Sequence, residues 1–256
     1  MTIDRKGFLR LTGLGAAAWA AGKFAAGFPG RRAETPNGEA GRAPRRWALV
    51  VDSRKCRQSR DCDLCIRACT RAHNIPEIGD PRHEIRWIRK ATFQEAFVSD
   101  PRDSANERFR DLPLVVLCNH CDRPPCVRVC PVQATWKRDD GIVMMDEHRC
   151  IGCRYCMAAC PYGSRSFNFV DPRPFIRELS SGYPTRTRGV VEKCSFCVER
   201  LDGGGLPACV EACESKALVF GDLDDPGSAV RAAVSGNFTL RRKAELGTGP
   251  EVYYIV

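Results

Sequence analysis

Hydrophobic residues in this 256-residue chain come in short bursts. "WALVV" at 47–51, "LPLVVL" at 112–117, "GIVMM" at 141–145 and "ALVF" at 217–220 each stop at polar residues, Gly or Cys after four to six positions. Runs of that length predict short strands. Around Asp139, Asp140 and Gly141 the pattern reads as strand, tight turn and returning strand. "SRSFNFV" (164–170) and "KALVFGD" (216–222) are further candidate strands, and the closing "AELGTGPEVYYIV" ends in a β-prone run. With 43% apolar residues spread this thinly, the chain can bury a modest core, and a loop-crowded interior calls for staples.

The cysteines supply candidates for those staples. All sixteen fall into four groups: Cys56, Cys62, Cys65, Cys69; Cys118, Cys121, Cys126, Cys130; Cys150, Cys153, Cys156, Cys160; and Cys194, Cys197, Cys209, Cys213. Structural cysteines scatter according to packing, so complete sets of four read as ligand sets. The third group followed by Pro161 spells C-x2-C-x2-C-x3-C-P, the bacterial ferredoxin run. The second keeps that plan with Pro124 and Pro125 widening its middle gap, and the fourth widens it further through Gly203–Gly205. The first group widens the opening gap instead, so Cys56 is its least secure ligand.

Zinc and disulfides are the alternatives. A zinc site of four thiolates wants two separated pairs and gives no reason for a third cysteine two residues on. Adjacent C-x2-C thiols without free partner groups make a poor disulfide framework. The charge also bears on the choice. The formal value of +9, from 40 basic and 31 acidic residues, suggests nucleic acid at first sight. A [4Fe–4S] core on four thiolates carries about −2, so four would add roughly −8 and nearly cancel the excess. Only four histidines are present and none has finger spacing, so no nucleic-acid partner is expected. His73 and His120 lie near cysteines, yet every group already has four thiols; packing or hydrogen bonding beside a cluster is the expectation for both.

Strand-like runs precede and follow the groups. A short strand, a cysteine loop, a short helix and another strand make a ferredoxin half-unit, and the chain holds four of them. The fold class expected is therefore α+β: two bacterial-ferredoxin-like modules, each with two cubane clusters, with loop insertions. The four-cluster body spans 47–256. Module A comprises 47–75 with 190–222 and module B comprises 112–170. An insertion at 76–111, a connector at 171–189 and a C-terminal wrap at 223–256 complete the body. The polar stretch 72–113, with Trp87, Phe93 and Phe97 dispersed through it, is either plain surface or a partner contact. The Arg-rich connector with Tyr183 is a candidate for docking.

"NHCDRPPCVRVCPVQATWKRDDGIVMMDEHRCIGCRYCMAACPYG" and "VVEKCSFCVERLDGGGLPACVEAC" resemble the four-cluster ferredoxin-like subunits of membrane oxidoreductases, the group of the dimethyl sulfoxide and polysulfide reductase beta subunits. "RRWALVVDSRKC", the wide first gap and "CIRACTRAHNIP" are most similar to the periplasmic iron–sulfur subunit of the sulfite-reduction-associated electron-transport complex. The resemblance covers residues 45–256. It implies four [4Fe–4S] clusters with exchanged fourth ligands: Cys118, Cys121, Cys126 with Cys160; Cys150, Cys153, Cys156 with Cys130; Cys56, Cys62, Cys65 with Cys213; and Cys194, Cys197, Cys209 with Cys69. Glu214 stands where the family has a proline after Cys213.

The resemblance also implies an integral membrane quinone-interacting subunit as partner, with further membrane, iron–sulfur and cytochrome c subunits. Membrane association would run through these partners. Electron transfer is the expected role, and no catalytic residue is assigned: no Gly-rich dinucleotide fingerprint, G-x-S-x-G or H-E-x-x-H is present. The nearer rival is a beta subunit of a molybdopterin-dependent oxidoreductase, and the more distant is a zinc-stabilised structural or nucleic-acid-binding protein.

Residues 1–28 place Arg5, Lys6 and Arg10 before an Ala/Gly-rich apolar stretch that Lys23 interrupts. That stretch is too short and weakly apolar for a membrane span, which leaves an amphipathic helix or an export signal. "DRKGFLRLTG" resembles the twin-arginine type: Arg5, Phe8, Leu9 and Arg10 fit, and Lys6 stands in place of the second arginine. Export of a folded chain to the periplasmic side suits thiols loaded in a reducing compartment. Residues 29–46 read as a flexible linker.

Overall fold

Strand β1 (Trp47–Asp52) is apolar at nearly every position and is covered on both faces. A computed structural model describes residues 45–57, 62–97, 109 and 113–256 of the chain; the leader, nearly all of the linker, and residues 58–61 of the first cysteine loop lie outside the described residues. Nine further strands follow among the described residues: β2 (Ile88–Thr92), β3 (Pro113–Leu117), β4 (Thr135–Lys137), β5 (Val143–Met145), β6 (Ser166–Phe167), β7 (Val191–Glu192), β8 (Leu218–Asp222), β9 (Thr239–Leu240) and β10 (Val252–Ile255).

The largest sheet has the order β8-β1-β10-β9. Strand β10 runs parallel to β1, with Leu49 opposite Val252, and β8 runs antiparallel to it. Side chains alternate across a strand, so the two central strands feed two cores. Leu49, Val51, Val252 and Tyr254 face the larger core. Ala48, Val50, Tyr253 and Ile255 face a smaller one, closed by Leu223 and Val230. Val230 belongs to the helix Ala229–Ser235, which Ser228 caps by accepting from the Arg231 amide at 3.2 Å. The C-terminal run thus supplies a central strand.

Each cysteine group is entered from an odd-numbered strand and left towards an even-numbered one. The leaving strand pairs with the next entering strand: β2 with β3, β4 with β5, β6 with β7, and β8 back to β1. The hairpin around Gly141 places Thr135 opposite Met145.

The insertion differs from the surface segment that its polar composition suggests. Strand β2 pairs with β3 over five residues. Trp87 and Phe93 are 2% and 4% exposed within the larger core, out of reach of any partner. Tyr183 of the connector is likewise turned inward, its ring 4.8 Å from that of His73 and 5.9 Å from that of Trp87.

The connector is anchored by a buried ion pair. Arg186 and Glu192 meet at 2.8 Å with both side chains almost wholly enclosed. Glu192 also accepts from Trp87 Nε1 at 2.9 Å and from Asn168 Nδ2. One carboxylate therefore ties the insertion, β6–β7 and the connector together. Glu192→Gln strands the Arg186 charge, with an expected cost of about 3–5 kcal/mol. A lower thermal midpoint of the loaded protein is the readout.

Candidate metal centre

In the second, third and fourth cysteine groups the chain enters its short helices from a proline or a left-handed residue. Pro124 and Pro207 precede the helices Pro125–Arg128 and Ala208–Glu211 in extended conformation. Arg154 (φ 61°) and Cys197 (φ 54°) turn left-handed before the helices Tyr155–Ala158 and Val198–Asp202. Gly152 sits at φ +70°, and a Cβ there would collide with the Gly189 carbonyl oxygen. A glycine is needed for this loop to fold against the connector.

The loops bring the sixteen thiols together in fours. Cys118, Cys121, Cys126 and Cys160 line one small cavity. Cys130 lines a second with Cys150, Cys153 and Cys156. Cys69 lines a third with Cys194, Cys197 and Cys209. The remaining four, Cys56, Cys62, Cys65 and Cys213, act on one another electrostatically: burial pushes Cys65 up to about 12, and Cys56, Cys213 and Cys62 add to the rise. In each set three members come from one cysteine group and the fourth from a distant segment. None of the sixteen is in a disulfide, and Cys153 alone is exposed.

The surroundings suit thiolates held by a cation. Burial, and then the neighbouring thiols Cys118, Cys126 and Cys160, push Cys121 up to about 12 against the hydrogen bond from Thr248. Burial drives Cys69 and Cys194 well above the ordinary thiol range. Four thiolates in so small a space are untenable without a metal, whose binding releases those protons. Backbone amides meanwhile aim at sulfur: Ala134 N at Cys130 Sγ (3.2 Å), Ala217 N at Cys213 Sγ (3.3 Å), Phe196 N at Cys194 Sγ (3.4 Å) and Ala208 N at Cys197 Sγ (3.3 Å). Soft donors in complete sets of four, with amides on the sulfurs, fit iron–sulfur clusters.

The two histidines take different roles. His73 Nδ1 lies 3.0 Å from Cys69 O, and Nε2 lies 3.0 Å from Glu199 Oε1. Burial lowers its affinity for a proton, but hydrogen bonds to Cys197 and Glu199 win and hold it at about 9. His73, Cys197 and Glu199 place ligand atoms within 4.8 Å of one another, a metal-competent group at the edge of the third cavity. His120 is driven well below the ordinary range by burial, then by Lys193 and Arg165, so it is neutral. Its Nδ1 accepts from the Val143 amide at 3.1 Å and its ring stacks on Phe196 at 3.7 Å.

Sequence reasoning did not single out Asn119, Arg165, Glu199 or Lys193. Asn119 and Arg165 line the first cavity. Both Asn119 side-chain polar atoms are buried without a hydrogen-bond partner among the described residues. Their closeness to the cysteines in sequence was the available signal.

The 4Fe-4S dicluster domain family matches residues 113–170 and 180–223. The chain is 43% identical to the Hdr-like menaquinol oxidoreductase iron-sulfur subunit 1 of Archaeoglobus fulgidus, over 83% of this chain and 84% of that one. It is 35% identical to the iron-sulfur component ArrB of the arsenate respiratory reductase of a Shewanella species, over 82% and 96% of the two chains. It is 34% identical to the menaquinone reductase iron-sulfur cluster-binding subunit of Nitratidesulfovibrio vulgaris, over 82% and 88%. The chain belongs to the iron–sulfur subunit family of dimethyl sulfoxide reductase-type membrane oxidoreductases. The role of that family is electron transfer within a membrane respiratory complex.

Proposed function

We propose that the chain carries four [4Fe–4S] clusters and relays electrons between a quinone-interacting membrane subunit and the other redox subunits of a sulfur-metabolism respiratory complex. The observation that carries this reading is that three cavities are each walled by four cysteines, three from one loop and one from another. The ligand sets are Cys118, Cys121, Cys126, Cys160; Cys130, Cys150, Cys153, Cys156; Cys69, Cys194, Cys197, Cys209; and Cys56, Cys62, Cys65, Cys213. When bound, the clusters supply reversible one-electron chemistry. The chain's own part is to hold thiolates, exclude water and direct amides to sulfur.

The quinone link draws on two relatives whose names specify menaquinol and menaquinone. No helix among the described residues is long and apolar enough to cross a membrane, so a membrane partner is part of the proposal. The working site is the periplasmic side, reached through the leader at 1–28. The narrower assignment within the family is the iron–sulfur subunit of the sulfite-reduction-associated complex. A second reading, beta subunit of a molybdopterin enzyme, draws on the same family membership.

Anaerobic purification of the complex from native membranes tests the proposal. We expect the holo chain to accompany an integral membrane subunit and a cytochrome c, with its iron–sulfur absorbance bleached by menaquinol. A molybdopterin subunit in their place favours the second reading. A holo chain that reduced quinol leaves oxidised contradicts the quinone link.

A further inference from the structure

Two buried cations sit in the walls between the thiol cavities. Arg165 is 5% exposed and Lys193 is 3% exposed. Among the described residues no carboxylate forms an ion pair with either, in contrast to Arg186 with Glu192. The Glu147 carboxylate acts on Lys193 without pairing with it; a buried charge without a paired counter-charge is strongly unfavourable. Their neighbours say where the counter-charge belongs.

Arg165 lines the cavity of Cys118, Cys121, Cys126 and Cys160. Its Nη2 donates to Thr135 Oγ1 at 2.8 Å, and its Nη1 lies 3.6 Å from Met145 Sδ. Thr135 and Met145 both line the cavity of Cys130, Cys150, Cys153 and Cys156. The guanidinium charge also acts on the thiols of Cys126 on one side and Cys156 on the other. It fills the partition between those two cavities.

Lys193 occupies the next partition. Its Nζ donates to the Val143 carbonyl and, at 2.8 Å, to that of Cys194. Val143 lines the Cys118 cavity, and Cys194 lines the cavity of Cys69, Cys197 and Cys209. One cavity therefore has a buried cation on each of two sides, and its neighbours have one apiece from these residues.

We propose that Arg165 and Lys193 are fixed-charge elements that raise the reduction potential of the centre held by Cys118, Cys121, Cys126 and Cys160, making it the electron sink of the relay. The inference rests on the four-cluster reading. Reduction brings one electron from a neighbouring centre, forms and breaks no bond, and makes the site one unit more negative. A nearby cation in a low-dielectric wall favours that reduced form. Both cations also act on one neighbour each: Arg165 on the Cys150 centre and Lys193 on the Cys194 centre.

The test is an anaerobic redox titration of the holo protein followed by electron paramagnetic resonance, with iron and sulfide counted in every sample. Arg165→Gln should lower two centres by at least tenfold in their reduction equilibria, about 59 mV for a one-electron couple. Lys193→Gln should lower two as well, with one centre responding to both substitutions. Arg165→Lys and Lys193→Arg should return the potentials to within tenfold of wild type. Fully loaded Gln variants with no centre shifted tenfold would overturn the inference, as would conservative variants that shift as far as the Gln ones. If the Gln variants lose iron, retention of iron by Arg165→Lys and Lys193→Arg supports the role of charge, and loss in all four overturns it. Wild-type chain carrying zinc without sulfide defeats the four-cluster reading itself, which the same counts distinguish.

Discussion

Cys160→Ser should damage the centre of Cys118, Cys121 and Cys126 while leaving that of Cys150, Cys153 and Cys156 with its four thiols. The result runs against sequence distance, because Cys160 follows Cys156 by four positions. It follows from the cavity walls: Cys160 faces Cys118, Cys121 and Cys126, and burial followed by the Cys118 thiol raises its own proton affinity. Cys130→Ser should do the reverse and damage the Cys150 centre, whose cavity Cys130 lines. Serine offers a hard oxygen where iron prefers a soft thiolate, so loss of one iron to give [3Fe–4S], or loss of the centre, is expected in each variant. Resonance spectra of the two variants should differ from each other. Identical spectra, or a lesion at the Cys150 centre in Cys160→Ser, would contradict the exchange of fourth ligands.

Much of this arrangement was open to sequence reading because the signals were local. The bursts at 47–51 and 217–220 and the turn at Asp139–Gly141 became β1, β8 and the β4–β5 hairpin. Cysteine grouping was equally plain. What brings Cys160 or Cys69 to a distant loop was not written in spacing, and only a family resemblance suggested it. The burial of Trp87 and Phe93 within the insertion was not legible for a physical reason: β2, "IRKAT", alternates weakly, and two of its five residues are cationic. Trp87 and Phe93 carry no period that marks them as core. Arg165 and Lys193 were hidden among 40 basic residues, since nothing local distinguishes a solvated cation from a buried one. The excess of positive charge hinted that some would face anions, without saying which.

Stripping iron should unfold the two halves unequally. Around the Cys118 and Cys150 loops the buried cluster consists of Cys126, Val143, Cys156 and Val191, so half of it is ligand. Remove the metal and the chief apolar anchor left to residues 118–170 is the Ile142 side chain in the larger core. The sheet of β8, β1, β10 and β9 rests instead on Leu49, Val51, Phe220, Val252 and Tyr254 and on a second core behind them. Metal binding is then folding free energy chiefly for the first region. In hydrogen exchange after anaerobic chelation, amides of 118–170 should lose protection first, by a factor of about 100 or more, while β1 and β10 keep theirs. A single concerted loss across both regions would show that the larger core does not stand alone.

The central claim is that sixteen thiols hold four iron–sulfur clusters, and one measurement addresses it most directly. Anaerobically purified chain should contain about sixteen iron atoms and about sixteen acid-labile sulfides per polypeptide, as four cubanes require. Stoichiometric zinc with negligible sulfide, or iron near half that value in fully folded protein, would contradict it.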